Sequence, residues 1–359
     1  MITQCCWNFL IRFAALGSCL CMVNSAGNVC WSSACAEMKA KTKLQKGVYK
    51  MPLKYKVFQH GADRDTGAKP NFSGTSTVFY GEKDAVLIDA AMLLSDAHRL
   101  AANLIELEKN LTHIYISHYH PDHHFGAWVL RYAFPNAKIV ALPSVVKDIA
   151  VTAEDKVNAW GHVFGKNVPD RIMVPEPLAE DHIMLEGERI EFSDDWDGDS
   201  ANNTMIWVPS LRVACGTDVV FNECHLFTIE SDAARRVKMR NSLKKLKAMN
   251  PRVVIPGHCN PAKLHADDAS GIDFCLQYLD VYEEALAKAK TGVELVKAVD
   301  ARYPGMKTMR YVLDWQAWLL FPDSCTKDMS KLPILFVDTS GNEMVSEFAK
   351  DSANAKSAT

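Results

Sequence analysis

The 359-residue sequence lacks an excess of positive charge. It carries 40 Lys and Arg against 43 Asp and Glu, for a formal net charge of -3. The densest basic stretch, RRVKMRNSLKKLK (235–247), alternates Leu and Met with Lys and Arg at helical spacing. That pattern is typical of a solvated face on a core-packed helix. We therefore predict a small-molecule substrate and no nucleic acid partner.

Closely spaced cysteines are also lacking after the first 35 residues. Six of the 11 cysteines precede that point, and the other five are Cys215, Cys224, Cys259, Cys275 and Cys325. Their scatter, without Cys-x-x-Cys spacing, favours small buried side chains in a reducing compartment over a disulfide framework. No later segment reaches the roughly 18 continuous apolar residues that a spanning helix needs, so we predict no stable membrane span.

The N-terminal stretch CCWNFLIRFAALGSCLCMVNSAG (5–27) is apolar and ends in small residues, as secretory signals do. Arg12 interrupts it, however, and the residues before the apolar run are almost uncharged. An organelle-targeting segment, or an extension upstream of a start at Met51, is an alternative. The localisation stays open: cytoplasmic if this segment is not a signal, secreted if it is. No feature of the sequence indicates the oligomeric state.

Strand and helix patterns alternate from about residue 52 onward. Short β-rich segments such as KYKVFQH, STVFYG and AVLIDAA are bounded by Gly, Lys or Asp, and LLSDAHRLAANLIELEKN (93–110) has helical spacing. After Asn260 the pattern is mainly helical, and the C-terminal residues are rich in Ser, Ala, Lys and Asp. We predict four parts: an N-terminal extension or signal segment (1–50), a catalytic domain (52–265), a helical extension (266–340) and a disordered tail (341–359).

A histidine cluster, SHYHPDHHFG (117–126), follows directly after the predicted strand LTHIYI. His118 and His120 are two residues apart, so in an extended segment both side chains lie on one face. Asp122 and His123 follow on a turn and can face a second ion nearby. Imidazole nitrogens and carboxylate oxygens together suit zinc, with iron or manganese as substitutes. The cluster therefore predicts a metal centre.

This cluster resembles the His-x-His-x-Asp-His signature of the metallo-β-lactamase superfamily. GTDVVFN (216–222) resembles the later glycine-aspartate element of that family, which implies Asp218 as a carboxylate that bridges two ions. RVVIPGHCNP (252–261) resembles its Gly-His element, which implies His258 as a ligand. The resemblance spans roughly residues 52–265. It implies an α/β fold, a four-layer αββα sandwich with a C-terminal helical extension, and a binuclear zinc site where the two sheets share an edge.

One ligand of the family pattern is missing. Relatives usually place a third histidine in a Gly-His-Thr stretch, but DGDSANNTMIWVP (197–209) contains none. Counting back from Pro209 puts Asp199 at that position, and acidic ligands take this role in alkylsulfatases of the superfamily. We predict Asp199 as the replacement ligand. The alternative is a weakened first site, or a single ion held by Asp122, His123, Asp218 and His258.

The resemblance implies a hydrolase, because a bound dication lowers the pKa of water from near 16 to about 7 and so supplies hydroxide at neutral pH. The implied substrate is a small ester, lactone, thioester, lactam or similar molecule. We expect Asp122 to orient the nucleophile and carry its proton to the leaving group. His225 is a candidate proton donor or substrate contact, with a packing role as the alternative. The helix predicted at 145–164 and the helices after residue 265 are expected to cap the pocket.

Two other functions share this fold. One is an iron-dependent oxidoreductase, and the other is a degenerate metal-binding protein, which the missing third histidine would suit. Flavodiiron reductases have glutamate where His120 stands, and no flavin domain follows here. The sequence therefore favours hydrolysis.

Overall fold

The computed structural model of the chain describes residues 52–61 and 72–325, together with two short strands at 336–337 and 343–344. The predicted N-terminal extension lies outside the described residues. So does most of the predicted C-terminal tail, apart from Glu343–Met344, which pairs antiparallel with Phe336–Val337. Within the described part of the chain, no helix is both long enough and apolar enough to cross a membrane.

The first of two large sheets contains six strands in chain order. They are β1 (Lys54–Gln59), β2 (Thr75–Tyr80), β3 (Asp84–Ile88), β4 (Asn110–Tyr115), β5 (Lys138–Ala141) and β6 (Glu176–Pro177). β1, β2 and β3 are antiparallel neighbours, whereas β3 to β6 run parallel. Because β3 and β4 are parallel, their carboxyl ends lie at the same edge of the sheet, and the segments that follow both strands begin at that edge.

The second sheet has the strand order β11-β10-β9-β8-β7. Its strands are β7 (His182–Leu185), β8 (Glu188–Trp196), β9 (Asn203–Val208), β10 (Val213–Asn222) and β11 (Val253–Cys259). β7 to β10 are antiparallel neighbours, and β10 and β11 are parallel. β10 is buried along its whole length, and its apolar runs, VAC (213–215) and VVF (219–221), fit a strand covered on both faces.

Helices cover the outer faces of both sheets. The helices are α1 (Leu94–Ile105), α2 (Pro121–His124), α3 (Ala127–Ala133), α4 (Pro143–Phe164), α5 (Ala233–Ala248), α6 (Ser270–Lys288), α7 (Gly292–Arg302) and α8 (Arg310–Leu320). α1, α3 and α4 share a buried cluster with the first sheet, and α5 to α8 share one with β10 and β11. This confirms the four-layer αββα sandwich with a C-terminal helical extension.

The helix predicted over 93–110 is too long by its last turn. The observed helix ends at Ile105, Glu108 has a positive φ of 52°, and Asn110 already belongs to β4. The backbone N–H of Asn110 donates to Lys83 O at 2.8 Å. Pairing with the sheet therefore overrides helical spacing at this end.

The core between the sheets comes from the inner faces of both. It contains Phe79, Val86, Ile88, Tyr115, Ile190, Phe192, Ile206 and Ile255. Tyr115 and Phe192 stack across the sheets, with ring centroids 3.9 Å apart and an interplanar angle of 18°. The Tyr115 hydroxyl donates to Thr204 Oγ1 at 3.0 Å, which fixes β4 against β9 next to the histidine cluster.

Phe192→Ala should destabilise the protein by about 3–5 kcal/mol, because it removes buried area and leaves a cavity beneath Tyr115. Urea unfolding measures the change. Met184→Ala on β7 is the control, since this side chain is 53% exposed and its loss should change the free energy of unfolding by less than about 0.5 kcal/mol. Equal stabilities for the two variants would contradict a core anchored at this stack.

Candidate metal centre

Loops and strand ends of both sheets bring the predicted ligands to one edge of the sandwich. His118 and His120 lie between β4 and α2, and α2 carries Asp122 and His123. The other three candidates belong to the second sheet: Asp199 in the turn from β8 to β9, Asp218 in β10 and His258 in β11. The structure therefore places all seven side chains within two adjoining groups.

The first group comprises His118, His120, Asp199 and Asp218, whose donor atoms lie within 4.8 Å of one another. His118 Nε2 lies 3.9 Å from both Asp199 Oδ1 and Asp218 Oδ2. His120 Nδ1 lies 2.6 Å from Asp199 Oδ2. Asn203 Nδ2 donates to Asp199 Oδ1 at 3.1 Å and so holds this carboxylate in place. The Asp199 carboxylate thus lies within the first group of candidate ligands.

The second group comprises Asp122, His123 and His258. His258 Nε2 lies 3.3 Å from Asp122 Oδ2, and His123 Nε2 lies 3.7 Å from the same oxygen. Asp218 reaches this group too, with Oδ1 at 3.2 Å from His123 Nε2 and Oδ2 at 3.0 Å from His258 Nε2. Asp218 therefore stands between the two groups, as a bridging carboxylate would.

The local backbone explains how Asp218 reaches this position. The pairing of β10 with β11 shifts register on both sides of Thr217, which has a positive φ of 41°. Such irregularities re-aim side chains along a strand. Across the ladder, Gly257 leaves the space that the Asp218 carboxylate fills, since a Cβ at Gly257 would overlap Asp218 Oδ1.

The residues present fit metal ions. His118 Nε2 is buried and has no hydrogen-bond partner among the described residues, and His123 Nε2 and Asp218 Oδ1, which lie 3.2 Å apart, are buried without a well-aligned hydrogen bond. A buried polar atom without a well-aligned hydrogen bond costs free energy, and all three atoms belong to side chains of the two ligand groups. Imidazole nitrogen with carboxylate oxygen is a donor set that divalent zinc, iron or manganese accepts.

Two residues that were not predicted as ligands, Asp89 and Ser117, contact the outer nitrogens of candidate ligands. Asp89 Oδ2 lies 2.7 Å from His123 Nδ1 and accepts from the Ser117 hydroxyl at 2.8 Å. Ser117 Oγ lies 3.0 Å from His118 Nδ1. These contacts leave the Nε2 atoms of both imidazoles facing the other candidate ligands, at 3.9 Å from Asp199 and Asp218 for His118 and at 3.2 Å from Asp218 for His123. Asp89 could be suspected from the sequence, since it ends the apolar strand AVLID, but only the fold shows its partners.

Buried charges dominate the electrostatics of the metal-free site. Burial opposes a charge on His120, but the Asp199 and Glu230 carboxylates outweigh it and raise its pKa to about 10. Burial likewise opposes a charge on His258, and Asp218 and Asp122 raise its pKa to about 9. Burial and the neighbouring His123 keep the pKa of His118 well below its usual value. Without bound ions, protons on His120 and His258 thus balance the negative charge of the buried carboxylates.

A cavity opens onto both ligand groups. Lys156 and Trp160 of α4 line it, together with Met309 and Trp315 from the C-terminal helical region. Both helical segments expected to cap the pocket therefore contribute to its wall. Its other lining residues are Phe72, His120, Pro121, Asp122, Asp199, Asp218, Phe227, Glu230 and His258.

His225 is not among the residues that line this cavity. Its Nδ1 lies 2.9 Å from the Tyr278 hydroxyl and its Nε2 lies 3.2 Å from Met306 O. The ring thus joins the end of β10 to the C-terminal helices. A catalytic role for His225 stays a prediction, and these contacts are those of the packing alternative.

The sequence family described as the metallo-beta-lactamase superfamily matches residues 70–258, a segment that contains all seven candidate ligands. Comparison with curated proteins gives no match.

Solved structures similar to this chain include the metallo-beta-lactamase from Pontibacter korlensis, with 16% identity, a TM-score of 0.46, and coverage of 64% of this chain and 95% of that chain. The metallo-beta-lactamase from Hirschia baltica has 14% identity and a TM-score of 0.45, with coverage of 64% and 93%. The metallo-beta-lactamase FIM-1 from Pseudomonas aeruginosa, in its mono-zinc form, has 12% identity and a TM-score of 0.46, with coverage of 64% and 91%.

Gly257→Ala should weaken zinc binding, because the new Cβ overlaps the Asp218 carboxylate and lies 2.6 Å from the Thr217 carbonyl carbon. Titration of the metal-free protein with zinc measures this. Gly161→Ala on α4 is the matched control, since no atom lies within 4 Å of the position that its Cβ would take. Wild-type zinc affinity in Gly257→Ala would show that Asp218 does not hold the ions.

The metal-free protein should lose stability as the pH falls from 6.5 toward 4, partly through His225. Burial lowers the pKa of His225 from 6.5 to about 4. In this window the unfolded chain binds a proton at His225 that the folded protein does not, so the free energy of unfolding falls with pH. Urea midpoints across this window should fall less steeply in His225→Gln than in a variant of exposed His98, His98→Gln. The same pH dependence of the urea midpoint in both variants would show that His225 does not contribute to this loss of stability.

Proposed function

The chain belongs to the metallo-β-lactamase superfamily, and we propose that it is a metal-dependent hydrolase acting on a small ester, lactone, thioester, lactam or similar substrate. One observation carries this proposal: two groups of buried imidazoles and carboxylates adjoin in one cavity and share Asp218. That arrangement suits a pair of dications facing one substrate.

We propose two zinc ions, with iron or manganese as substitutes. His118, His120 and Asp199 would hold the first, Asp122, His123 and His258 the second, and Asp218 both. When bound, such ions lower the pKa of water to about 7 and polarise the oxygen of a scissile group.

Asp122 is the proposed proton carrier. Its carboxylate lines the cavity, and its Oδ2 lies within 3.3 Å of His258 Nε2, so one oxygen serves the second ligand group. The other oxygen would accept the proton of the attacking water and deliver it to the leaving group. Burial opposes the charge on Asp122, but the neighbouring His123 and His258 outweigh it and keep its pKa well below the usual value. The carboxylate is therefore ionised in the metal-free protein.

The walls of the cavity support a small substrate with an apolar part. Trp160, Phe227 and Trp315 line it, and aromatic walls exclude water from a bound molecule. The net charge of -3 provides no basic surface for a nucleic acid. A small molecule is therefore the proposed substrate.

Asp199→Ala should bind about half as much metal as the wild-type chain and lose most of its turnover, because the first ion loses one of its four ligands. Metal content is measured after dialysis against zinc, and turnover against a panel of esters, lactones, thioesters and lactams. Asp197→Ala is the matched control: it lies in the same turn, but its carboxylate pairs with Arg235 at 3.3 Å, away from the cavity.

Three results would overturn parts of this proposal. Unchanged metal content in Asp199→Ala would remove Asp199 from the ligand set. Iron in protein purified without added metal, together with oxygen consumption, would replace hydrolysis by redox chemistry. Metal content near zero in the wild-type chain, with no turnover on the whole panel, would indicate a degenerate binding protein.

A further inference from the structure

Glu230, a carboxylate outside the seven proposed ligands, contacts the outer nitrogen of His120. Its Oε1 lies 2.9 Å from His120 Nε2, and its Oε2 accepts from the Tyr119 hydroxyl at 2.5 Å. The Glu230 side chain is 7% exposed and that of His120 is 8% exposed. We propose that Glu230 is a positioning residue, which fixes the tautomer and orientation of His120 for the first ion; this inference rests on the proposed function.

The two nitrogens of His120 have different tasks in this geometry. With Nε2–H donating to Glu230, Nδ1 is the nitrogen that faces the first ligand group: it lies 2.6 Å from Asp199 Oδ2, to which it donates in the metal-free protein, and it would give up that proton to hold an ion. A tilted contact with the Tyr119 ring and an edge contact with the Phe227 ring, at centroid distances of 4.7 and 5.5 Å, hold the imidazole plane. A ring flip would turn the protonated nitrogen toward the ion and break the contact with Glu230.

His118 and His120 thus present opposite nitrogens to the first group. His118 offers Nε2, and its outer Nδ1 faces the neutral hydroxyl of Ser117 at 3.0 Å. Of these two imidazoles, it is His120 that has a carboxylate behind it, and a carboxylate makes an imidazole a stronger electron donor to a bound ion than a hydroxyl does. Glu230 therefore acts mainly on the first ion and on the bond between that ion and His120.

The loop that carries Glu230, residues 223–232, is held independently of it. Leu226 and Ile229 are buried in the core of the second sheet. The Ser231 hydroxyl donates to Thr228 O at 2.8 Å, and Arg236 Nη1 donates to Ser231 O at 2.7 Å. Removal of the Glu230 charge should therefore leave the loop folded, which allows the effect on the ion to be measured by itself.

The experiment compares Glu230→Gln with Glu223→Gln, the same substitution in the same loop. Glu223 is exposed at its side chain and pairs with Lys263 at 3.2 Å, which directs it away from the ligands. Zinc affinities of the metal-free proteins are measured by competition with a chromophoric chelator. Cobalt(II) is then substituted, and its visible absorption reports the ligand geometry. Unfolding of the metal-free proteins checks that the fold is intact.

In Glu230→Gln, we expect zinc affinity at one of the two sites to fall by about 10- to 100-fold and the cobalt spectrum to change, while the other site keeps its wild-type affinity. Glu223→Gln should match the wild type in both readouts. Tyr119→Phe keeps the charge on Glu230 and removes the hydroxyl that donates to Oε2, so its affinity should fall less than that of Glu230→Gln.

Wild-type affinity and spectrum in Glu230→Gln would overturn the inference and leave the proposed function standing. An equal loss at both sites would also overturn it, since it would show a general effect on the pocket. A wild-type chain that binds neither zinc nor cobalt would overturn the proposed function, and the role of Glu230 with it.

Discussion

The rest of the site depends on the contacts between the Asp218 carboxylate and the surrounding imidazoles. The carboxylate is buried among three imidazoles, 3.2 Å from His123 Nε2, 3.0 Å from His258 Nε2 and 3.9 Å from His118 Nε2. His118 and His123 follow β4 of the first sheet and His258 belongs to β11 of the second, so a single side chain links both halves of the sandwich at this edge. Its place depends on backbone rather than on side-chain packing: β10 shifts register at Thr217, and Gly257 leaves the room that the carboxylate fills.

The charges of the site therefore also affect the stability of the fold. Buried carboxylates lower stability unless they are paired or bind cations. In the metal-free chain, protons on His120 and His258 supply that compensation, which is why their pKa values rise to about 10 and about 9. Dications would displace those protons, because an imidazole must be unprotonated to act as a ligand. Metal affinity and the pH dependence of stability therefore report on the same set of contacts.

Much of the fold and of this site could be predicted from sequence, because the ligands lie in short motifs at strand ends. SHYHPDHHFG, GTDVVFN and RVVIPGHCNP are local patterns, and the family and the αββα sandwich that they indicated are confirmed. Asp199 is placed beside His118 and His120, although no result yet tests it as a ligand. Glu230 could not be found this way: it lies 110 residues from His120 in the chain, in a loop without a motif, and only the packing of both sheets brings them together.

Part of the cavity wall lies outside the segment that matches the family. The matched segment ends at residue 258, yet Met309 and Trp315 from the C-terminal helical region line the cavity beside the ligands. The proposed ligands would supply chemistry that ester, lactone, thioester and lactam substrates have in common, since each presents a carbonyl to an attacking water. Under that proposal, selection among them would come from the shape of the wall, where a difference of one methylene changes binding by only about 1–3 kcal/mol. The parts of α4, α8 and the 223–232 loop that line the cavity, and not the metal motif alone, would then set specificity.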